Sequence, residues 1–218
     1  MGPVTGVSHD RIDPERAFTS AFRGEDSTWF GLDGPSRPVD AWIGRADESD
    51  RAVLAHCRGA TLDIGCGPGR MTELLGAQGQ VVLGIDLVPE AVFQTRERGA
   101  AALLRDVFHR VPAEGRWQTA LLADGNIGIG GDPIALLRRV RELLAGTGRA
   151  VVDLAPPGSG IRTGTVRLQT DCGLSEPFPW ALLGVDMASF VAAEAGYRAP
   201  DLHQYAGRWF GVFEAGSR

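Results

Sequence analysis

The sequence contains no lysine, and all 22 basic side chains among its 218 residues are arginines. This absence excludes reactions that need a lysine amine, including Schiff-base catalysis, phosphate binding by a P-loop lysine and covalent attachment of pyridoxal phosphate. Metal-binding side chains are also scarce. The three cysteines and four histidines show neither C-x-x-C nor H-E-x-x-H spacing. We therefore expect no disulfide framework and no metal site.

Long apolar runs and clusters of like charge are missing as well. No apolar run approaches the length of a membrane span, and the first ten residues lack the layout of a signal peptide. The net charge is −5, without the basic patch that nucleic-acid binders carry. These features predict a cytoplasmic protein that binds neither nucleic acid nor membrane, and they leave its oligomeric state open.

The length suits one ordinary α/β domain, and 44% of the residues are apolar, as a buried core requires. Residues 1–58 are predicted to hold two short helices, one starting after Asp13 and one near residues 49–58. Between them, residues 29–35 combine aromatic side chains with glycine and proline and are predicted to form a loop. We interpret residues 1–58 as a helical lid segment over a single domain at residues 59–218.

From residue 60 onwards, short apolar runs alternate with helical patterns. Strands are predicted at 60–64, 81–85, 101–104, 119–123 and 148–154, and this alternation is typical of a parallel sheet with helices on both faces. Near the C-terminus, residues 202–205 and 208–213 flank Ala206 and Gly207 and predict a hairpin. The sheet is therefore expected to end in antiparallel strands.

A glycine-rich segment, LDIGCGPG at Leu62–Gly69, ends a buried strand and opens a helix. Its glycines let the backbone approach a ligand closely, and the helix N-terminus adds amide donors. Asp86 ends the next strand, where an acid can accept both hydroxyls of an adenosine ribose, and Asp106 follows the third strand, on the adenine side. A dinucleotide fingerprint reads G-x-G-x-x-G, whereas this loop reads G-x-G-x-G and continues with Arg70. Asp63 either orients the loop or accepts the ammonium group of a methyl donor.

The segment DIGCGPG at Asp63–Gly69 resembles motif I of the class I S-adenosyl-methionine-dependent methyltransferases. The resemblance covers about residues 60–154 and the terminal hairpin. It implies a Rossmann-like, doubly wound α/β sheet of seven strands, mostly parallel with an antiparallel C-terminal hairpin. It also implies S-adenosyl-L-methionine as cofactor and direct in-line transfer of its methyl group. The expected cofactor-binding residues are Asp63, Gly65, Cys66, Gly67, Gly69, Asp86, Leu87, Asp106, Val107, Asp124 and Asn126.

The loop after the fourth strand, DGNIGIGGDP from Asp124 to Pro133, lacks the Asp/Asn-Pro-Pro-aromatic sequence of enzymes that methylate nucleobase amines. Asp124 is a candidate general base as well as a cofactor contact. Asn126 either contacts cofactor and acceptor or is a turn residue. His109, close to Asp106, is the other candidate base, with a solvated loop histidine as the alternative.

Aromatic side chains in segments that resemble loops are the candidate acceptor site, as a pocket wall or lid, with core packing as the alternative. The expected substrate-binding residues are Trp29, Phe30, Trp42, Asn126, Phe178 and Trp180. The sequence thus predicts methyl transfer to a small-molecule acceptor at oxygen or nitrogen. A nicotinamide-dependent oxidoreductase and a non-catalytic cofactor-binding module are the alternatives.

Overall fold

The computed structural model of the chain describes residues 11–32 and 40–216. Its strands are β1 (Arg11–Ile12), β2 (Ser27–Phe30), β3 (Thr61–Ile64), β4 (Val82–Asp86), β5 (Ala102–Leu104), β6 (Trp117–Leu122), β7 (Leu144–Leu154), β8 (Ile161–Thr170), β9 (Gly173–Ser175), β10 (Phe178–Leu183), β11 (Asp201–Tyr205) and β12 (Arg208–Glu214). Its helices are α1 (Pro14–Phe22), α2 (Asp40–Ile43), α3 (Glu48–Leu54), α4 (Arg70–Ala77), α5 (Pro89–Glu97), α6 (Pro133–Leu143) and α7 (Ala188–Glu194), with 3-10 turns at Asn126–Gly131 and Val185–Met187. None of the helices in these ranges is long and apolar enough to cross a membrane.

The main sheet has seven strands in the order β11-β12-β7-β6-β3-β4-β5. Strands β7, β6, β3, β4 and β5 run parallel to one another, whereas β12 pairs antiparallel with both β7 and β11. The predicted fold class is therefore confirmed, including the terminal hairpin. Because all parallel strands point the same way, the loops that follow β3, β4, β5 and β6 meet at one edge of the sheet.

Two apolar layers cover the faces of this sheet, as expected when successive side chains of a strand point to opposite sides. On β6, Ala120 and Leu122 face the larger layer, which includes α6 and α7, whereas Leu121 faces the smaller one. The smaller layer is completed by Val53 and Leu54 of α3 and by residues of α4. Helix α3 is therefore part of the packed body.

A second sheet of five strands was not predicted. It has the order β1-β9-β8-β10, and β2 also pairs with β8. The prediction of loops is wrong at residues 29–30 and around Phe178–Trp180, because β2 and β10 are strands that both pair antiparallel with β8, whereas Gly31 and Leu32 lie in a bend and a turn, as predicted. Residues 33–35 lie outside the described ranges. Within this sheet, residues 165–170 alternate in sequence as an exposed strand does, and they form the second half of β8.

Helix α1 connects the two sheets. Asp13 caps its N-terminus by accepting the backbone N–H of Glu15 at 2.8 Å, and Pro14 occupies the first helical position, as predicted. Its apolar stripe packs on β8 through Ala17 and Ala21, and Phe22 packs on Val88 at the start of α5. Helix α1 and the second sheet thus stand beside the edge of the main sheet where its strand-end loops meet.

Candidate active site

A cavity of about 600 Å³ lies beyond the carboxyl ends of β3, β4 and β6. Small-molecule sites in proteins have volumes of roughly 300–1,000 Å³, so it has room for a ligand of that class. The loops at residues 64–68, 85–88 and 105–108 form one side of the cavity. The opposite side comes from α1, Trp29, Trp42 and β10, so both sheets contribute to one site.

The glycine loop occupies the centre of the cavity wall. Gly65, Cys66 and Gly67 line the cavity, whereas Gly69 does not and instead precedes α4 as its cap residue. Gly67 has a φ of 53° and a Cβ there would meet nothing within 4 Å, so the backbone is open to a ligand. At Gly69, with φ of 85°, a Cβ would lie 2.4 Å from Thr95 Oγ1, so this glycine is required for packing.

Asp63 lies behind the loop and does not line the cavity. Its side chain is buried on β3 and accepts a hydrogen bond from Thr72 Oγ1 of α4 at 2.7 Å. Burial raises the pKa of Asp63 to about 6, although the Thr72 hydrogen bond opposes this rise. Of the two interpretations of Asp63, this position favours orientation of the loop, because the carboxyl group ties the strand before the loop to the helix after it.

Asp86 and Leu87 follow β4 and both line the cavity. The two carboxylate oxygens of Asp86 accept backbone N–H groups of Gly67 and Val88, each at 2.9 Å. Burial raises the pKa of Asp86, while these backbone hydrogen bonds act in the opposite direction. Asp86 is therefore anchored directly to the glycine loop, and its oxygens retain lone pairs for further donors.

The loop after β5 places Asp106, Val107 and Phe108 on the cavity wall. Asp106 accepts the backbone N–H of Phe108 at 2.8 Å, so its carboxylate is also held by its own loop. His109 does not line the cavity: its side chain is 78% exposed, and Nδ1 lies 3.6 Å from Asp106 Oδ2. This position matches the alternative of a solvated loop histidine better than that of a general base.

Asn126 spans the gap between the β6 loop and the glycine loop. Its amide Nδ2 donates to the carbonyl oxygens of Ile64 and Gly65, at 2.9 and 2.8 Å. Asn126 lines the cavity and has no positive φ, whereas Asp124 and Gly125 before it do. Asn126 is therefore a bridging residue at the cavity, and the left-handed turn falls on its two predecessors.

Asp124 lines the cavity but belongs to a buried ionic cluster, which comprises three aspartates and two arginines among the described residues. Its oxygens lie 2.6 Å from Arg70 Nη1 and 3.3 Å from Arg208 Nη2, and its backbone N–H donates to Asp153 at 2.6 Å. Arg70 also binds Asp50 through two N–H groups. The carboxylate of Asp124 is thus already neutralised by two guanidinium groups.

The remaining contacts of the cluster involve Arg208, which lies on β12. It binds Asp153 of β7 and, at 2.6 Å, Asp50 of α3. Burial alone would raise the pKa of Asp50, but the hydrogen bonds and charge of Arg70, and then those of Arg208, hold it below its usual value. The cluster therefore connects the terminal hairpin and α3 to Arg70, the residue that directly follows the glycine loop.

Six aromatic rings form the other wall of the cavity. Trp29, Trp42, Phe178 and Trp180 line it, as do Phe18 and Phe22 of α1, which were not predicted as site residues. Phe30 does not line the cavity and is 51% exposed, so its predicted substrate contact is not seen in this structure. The alternation of side chains along β2 explains the difference, because Trp29 and its neighbour point to opposite faces.

Several residues of the cavity wall and of the ionic cluster were not predicted from the sequence. The apolar stripe of α1 was visible, but nothing in the sequence indicated that Phe18 and Phe22 face a cavity. Asp50 and Arg208 are far apart in the chain and carry no local signal of pairing.

Within residues 11–32 and 40–216, no three His, Cys, Asp or Glu side chains are grouped as metal ligands.

A family model described as a methyltransferase domain matches residues 61–148. This range contains the glycine loop, Asp86, Asp106 and Asp124, all of which contribute to the cavity wall. Residues 61–148 thus match a methyltransferase domain, in agreement with the resemblance of Asp63–Gly69 to motif I of the class I S-adenosyl-methionine-dependent methyltransferases. The recognition of motif I is thereby confirmed. The α1 helix and most of the second sheet lie outside the matched range of this domain.

Curated relatives of this methyltransferase domain are much longer than the region they share with it. A ubiquinone biosynthesis O-methyltransferase of Xylella fastidiosa (strain M23) is 36% identical over 96 residues, which are 42% of this chain and 38% of that protein. The protein of the same name from Xanthomonas oryzae pv. oryzae (strain PXO99A) is 41% identical over 73 residues, 33% of this chain and 30% of its own length. The chain therefore spans only about 38% of the length of the Xylella relative.

Solved methyltransferase structures are similar over nearly the whole chain. A SAM-dependent methyltransferase from Bacteroides fragilis, in complex with S-adenosyl-L-homocysteine, has a TM-score of 0.74 at 20% identity and covers 97% of this chain and 100% of its own. The CcbJ methyltransferase from Streptomyces caelestis has a TM-score of 0.64 at 20% identity and covers 94% of this chain and 100% of its own. A Burkholderia thailandensis 1,6-didemethyltoxoflavin-N1-methyltransferase has a TM-score of 0.61 at 19% identity and covers 97% of this chain and 94% of its own. At this identity the likenesses show a shared fold.

Proposed function

We propose that the protein transfers the methyl group of S-adenosyl-L-methionine to a small-molecule acceptor, at oxygen or nitrogen. This proposal depends chiefly on Asp86, which accepts the backbone N–H of Gly67 in the glycine loop. Asp86 lines the same cavity as the aromatic wall. A carboxylate at this point suits the two hydroxyls of a ribose, and the family match at residues 61–148 supports the same cofactor.

The residues present fit the cofactor at both of its ends. Asp86 would hold the ribose and Asp106 and Val107 the adenine side, and the open backbone at Gly67 leaves space for the methionine portion. When bound, S-adenosyl-methionine supplies a methyl group that its sulfonium already activates. Burial raises the pKa of the Cys66 thiol, so this thiol stays protonated near neutral pH and does not compete as a nucleophile.

The protein's contribution to transfer is then alignment and exclusion of water. The rings of Trp29, Trp42, Phe178 and Trp180 form a wall that can hold an acceptor beside the cofactor, and a fixed near-attack geometry supplies a large part of the acceleration in such reactions. The general-base roles predicted for Asp124 and His109 are not part of this proposal. The first is held by two arginines and the second lies outside the cavity, so we propose that transfer does not depend on either.

The identity of the attacked atom is the finer part of the proposal. The curated relatives are named O-methyltransferases, whereas the Burkholderia neighbour is named for methylation at N1. Incubation with S-adenosyl-methionine carrying a ¹³C-labelled methyl group and a set of phenols and heteroaromatic amines distinguishes the two. The ¹³C shift of the product methyl group separates O-methyl from N-methyl.

Calorimetry with Asp86→Asn tests the cofactor site. Loss of the charge on Asp86 removes charge-assisted hydrogen bonds worth about 1.5–3 kcal/mol, so the affinity for S-adenosyl-homocysteine should fall by roughly 10- to 150-fold. The matched control is Asp171→Asn, which removes an exposed carboxylate outside the cavity and should leave the affinity unchanged. Equal affinity in both variants, or binding of NADH in place of S-adenosyl-homocysteine, would contradict the proposal.

A further inference from the structure

The aromatic wall is closely packed on itself and centres on Trp29. The ring centroid of Trp29 lies 5.4 Å from that of Trp180, 5.6 Å from Phe178 and 6.5 Å from Trp42, all in edge-to-face geometry. These distances are typical of favourable aromatic pairs. The wall therefore offers flat ring surfaces and edges, and a flat ligand can exchange ring–ring contacts for ring–ligand contacts at little cost.

Two hydrogen-bond donors in this wall have no acceptor within residues 11–32 and 40–216. The indole Nε1 atoms of Trp29 and Trp42 are buried, and neither has a hydrogen-bond partner in the described part of the chain. A buried donor without a partner is unfavourable, and most such groups in proteins find one. The indole of Trp117 shows the usual situation, since it donates to the carbonyl oxygen of Pro112 at 2.9 Å.

The charges around the cavity restrict the ligand further. Among the described residues, five carboxylates and two guanidinium groups line it, and one of these guanidinium groups, that of Arg70, is already paired with Asp50 and Asp124. An anionic acceptor would meet a net negative surface, and Arg70 could bind it only by giving up one of its ion pairs. An uncharged acceptor meets no such cost.

We infer that the acceptor is a flat, uncharged aromatic or heteroaromatic molecule with an oxygen or nitrogen that accepts an indole N–H of the Trp29–Trp42 pair. This inference rests on the proposed function, because it describes the molecule that receives the methyl group. The acceptor parts the two rings as it enters, since both nitrogens are covered in the structure. Trp29 and Trp42 are then specificity-determining residues, which orient the acceptor through its hydrogen-bond acceptor atom.

Indole NMR on the full chain tests this inference, with S-adenosyl-homocysteine present throughout and 4-quinolone as the probe. The five tryptophans give five indole ¹H–¹⁵N signals, and Trp29→Phe and Trp42→Phe assign two of them. We expect 4-quinolone to move at least one of these two signals downfield, as a new hydrogen bond does, while the Trp209 signal, which Trp209→Phe assigns, stays in place. The corresponding Phe variant, which keeps a ring but lacks the N–H, should bind 4-quinolone about five- to tenfold more weakly. Trp209→Phe, which lies outside this cavity, should bind it within twofold of the unaltered chain.

Two further probes separate the parts of the inference. Kynurenate has the same ring with an added carboxylate, and 1-decalone is a saturated ketone of the same two-ring size, so both should bind at least tenfold more weakly than 4-quinolone. Equal binding of either probe, absence of 4-quinolone binding, or binding without movement of the Trp29 and Trp42 signals would overturn the inference. Failure of S-adenosyl-homocysteine itself to bind would instead refute the proposed function, and its own titration reports this independently.

Discussion

At the scale of single residues, Asp63 makes the stability of the protein depend on pH. Burial raises its pKa to about 6 in the folded chain, above the ordinary value of 3.8. Between about pH 4 and pH 6 the folded state therefore holds a proton that the unfolded state has released, and the free energy of unfolding falls as the pH rises. In Asp63→Asn, whose amide resembles the protonated acid, this part of the decrease should disappear. The two stability curves, measured by urea unfolding, should diverge by about 2–3 kcal/mol between pH 4 and pH 7. Curves that stay parallel would show that Asp63 is not the titrating group.

The buried ionic cluster gives a second prediction at this scale. Arg208→Met removes an arginine that pairs with the carboxylates of Asp50, Asp124 and Asp153, and an uncompensated buried charge typically costs about 3–5 kcal/mol. Chemical denaturation should show a loss of this size, and adding Asp153→Asn to the variant should recover part of it. The control is Arg51→Met, which removes an exposed pair with Glu48 and should cost under about 1 kcal/mol. Similar losses in Arg208→Met and Arg51→Met would mean that the cluster contributes no more than a surface pair.

At the scale of elements, the contact between β10 and the 3-10 turn at Asn126–Gly131 depends on one glycine. A Cβ added to Gly128 would lie 2.2 Å from the carbonyl oxygen of Ala181 and 2.5 Å from Trp180 Nε1. Gly128→Ala should therefore force β10 outwards and destabilise the protein by about 1–3 kcal/mol, with weaker binding of 4-quinolone because Trp180 moves. Gly146→Ala is the matched control, since a Cβ there meets nothing within 4 Å. The prediction fails if thermal unfolding shows the same melting temperature for both variants.

The same elements show how far the sequence could be interpreted. The strands of the main sheet were predicted because each is a continuous apolar run, and motif I identified the glycine loop within it. Strands β2 and β10 were predicted as loops because they are short, rich in aromatics and flanked by glycine or proline. Both become strands because they pair with β8. Since β8 lies over 100 residues from β2 in the chain, the sequence around β2 gives no sign of this pairing. Asp86 and Trp29 could be proposed as site residues from the sequence alone, whereas the pairing of Asp50 with Arg208 depends on tertiary contacts.

At the scale of the whole molecule, the segment predicted as a lid divides into two parts. Helix α1 and β2 contribute Phe18, Phe22 and Trp29 to the cavity wall, whereas Val53 and Leu54 of α3 are packed against the main sheet. Only the first part is placed to cover a ligand, and its movement stays a prediction. Segments that close over ligands belong to the less stable regions of a protein, and binding should raise the free energy of their local opening.

Hydrogen exchange measured by mass spectrometry checks this division of the lid segment. With S-adenosyl-homocysteine and 4-quinolone bound, backbone amides of Pro14–Phe22 and Ser27–Phe30 should exchange at least about fivefold more slowly, because a ligand against the aromatic wall opposes separation of α1 and β2 from the body. Amides of Glu48–Leu54 should keep their rates, since α3 packs against the main sheet and does not line the cavity. The hairpin at Asp201–Glu214 is the internal control for a general gain in stability. Equal protection of α1, α3 and the hairpin would show that ligands stabilise the whole molecule uniformly. Residues 14–30 would then not form a lid that opens independently of the rest of the protein.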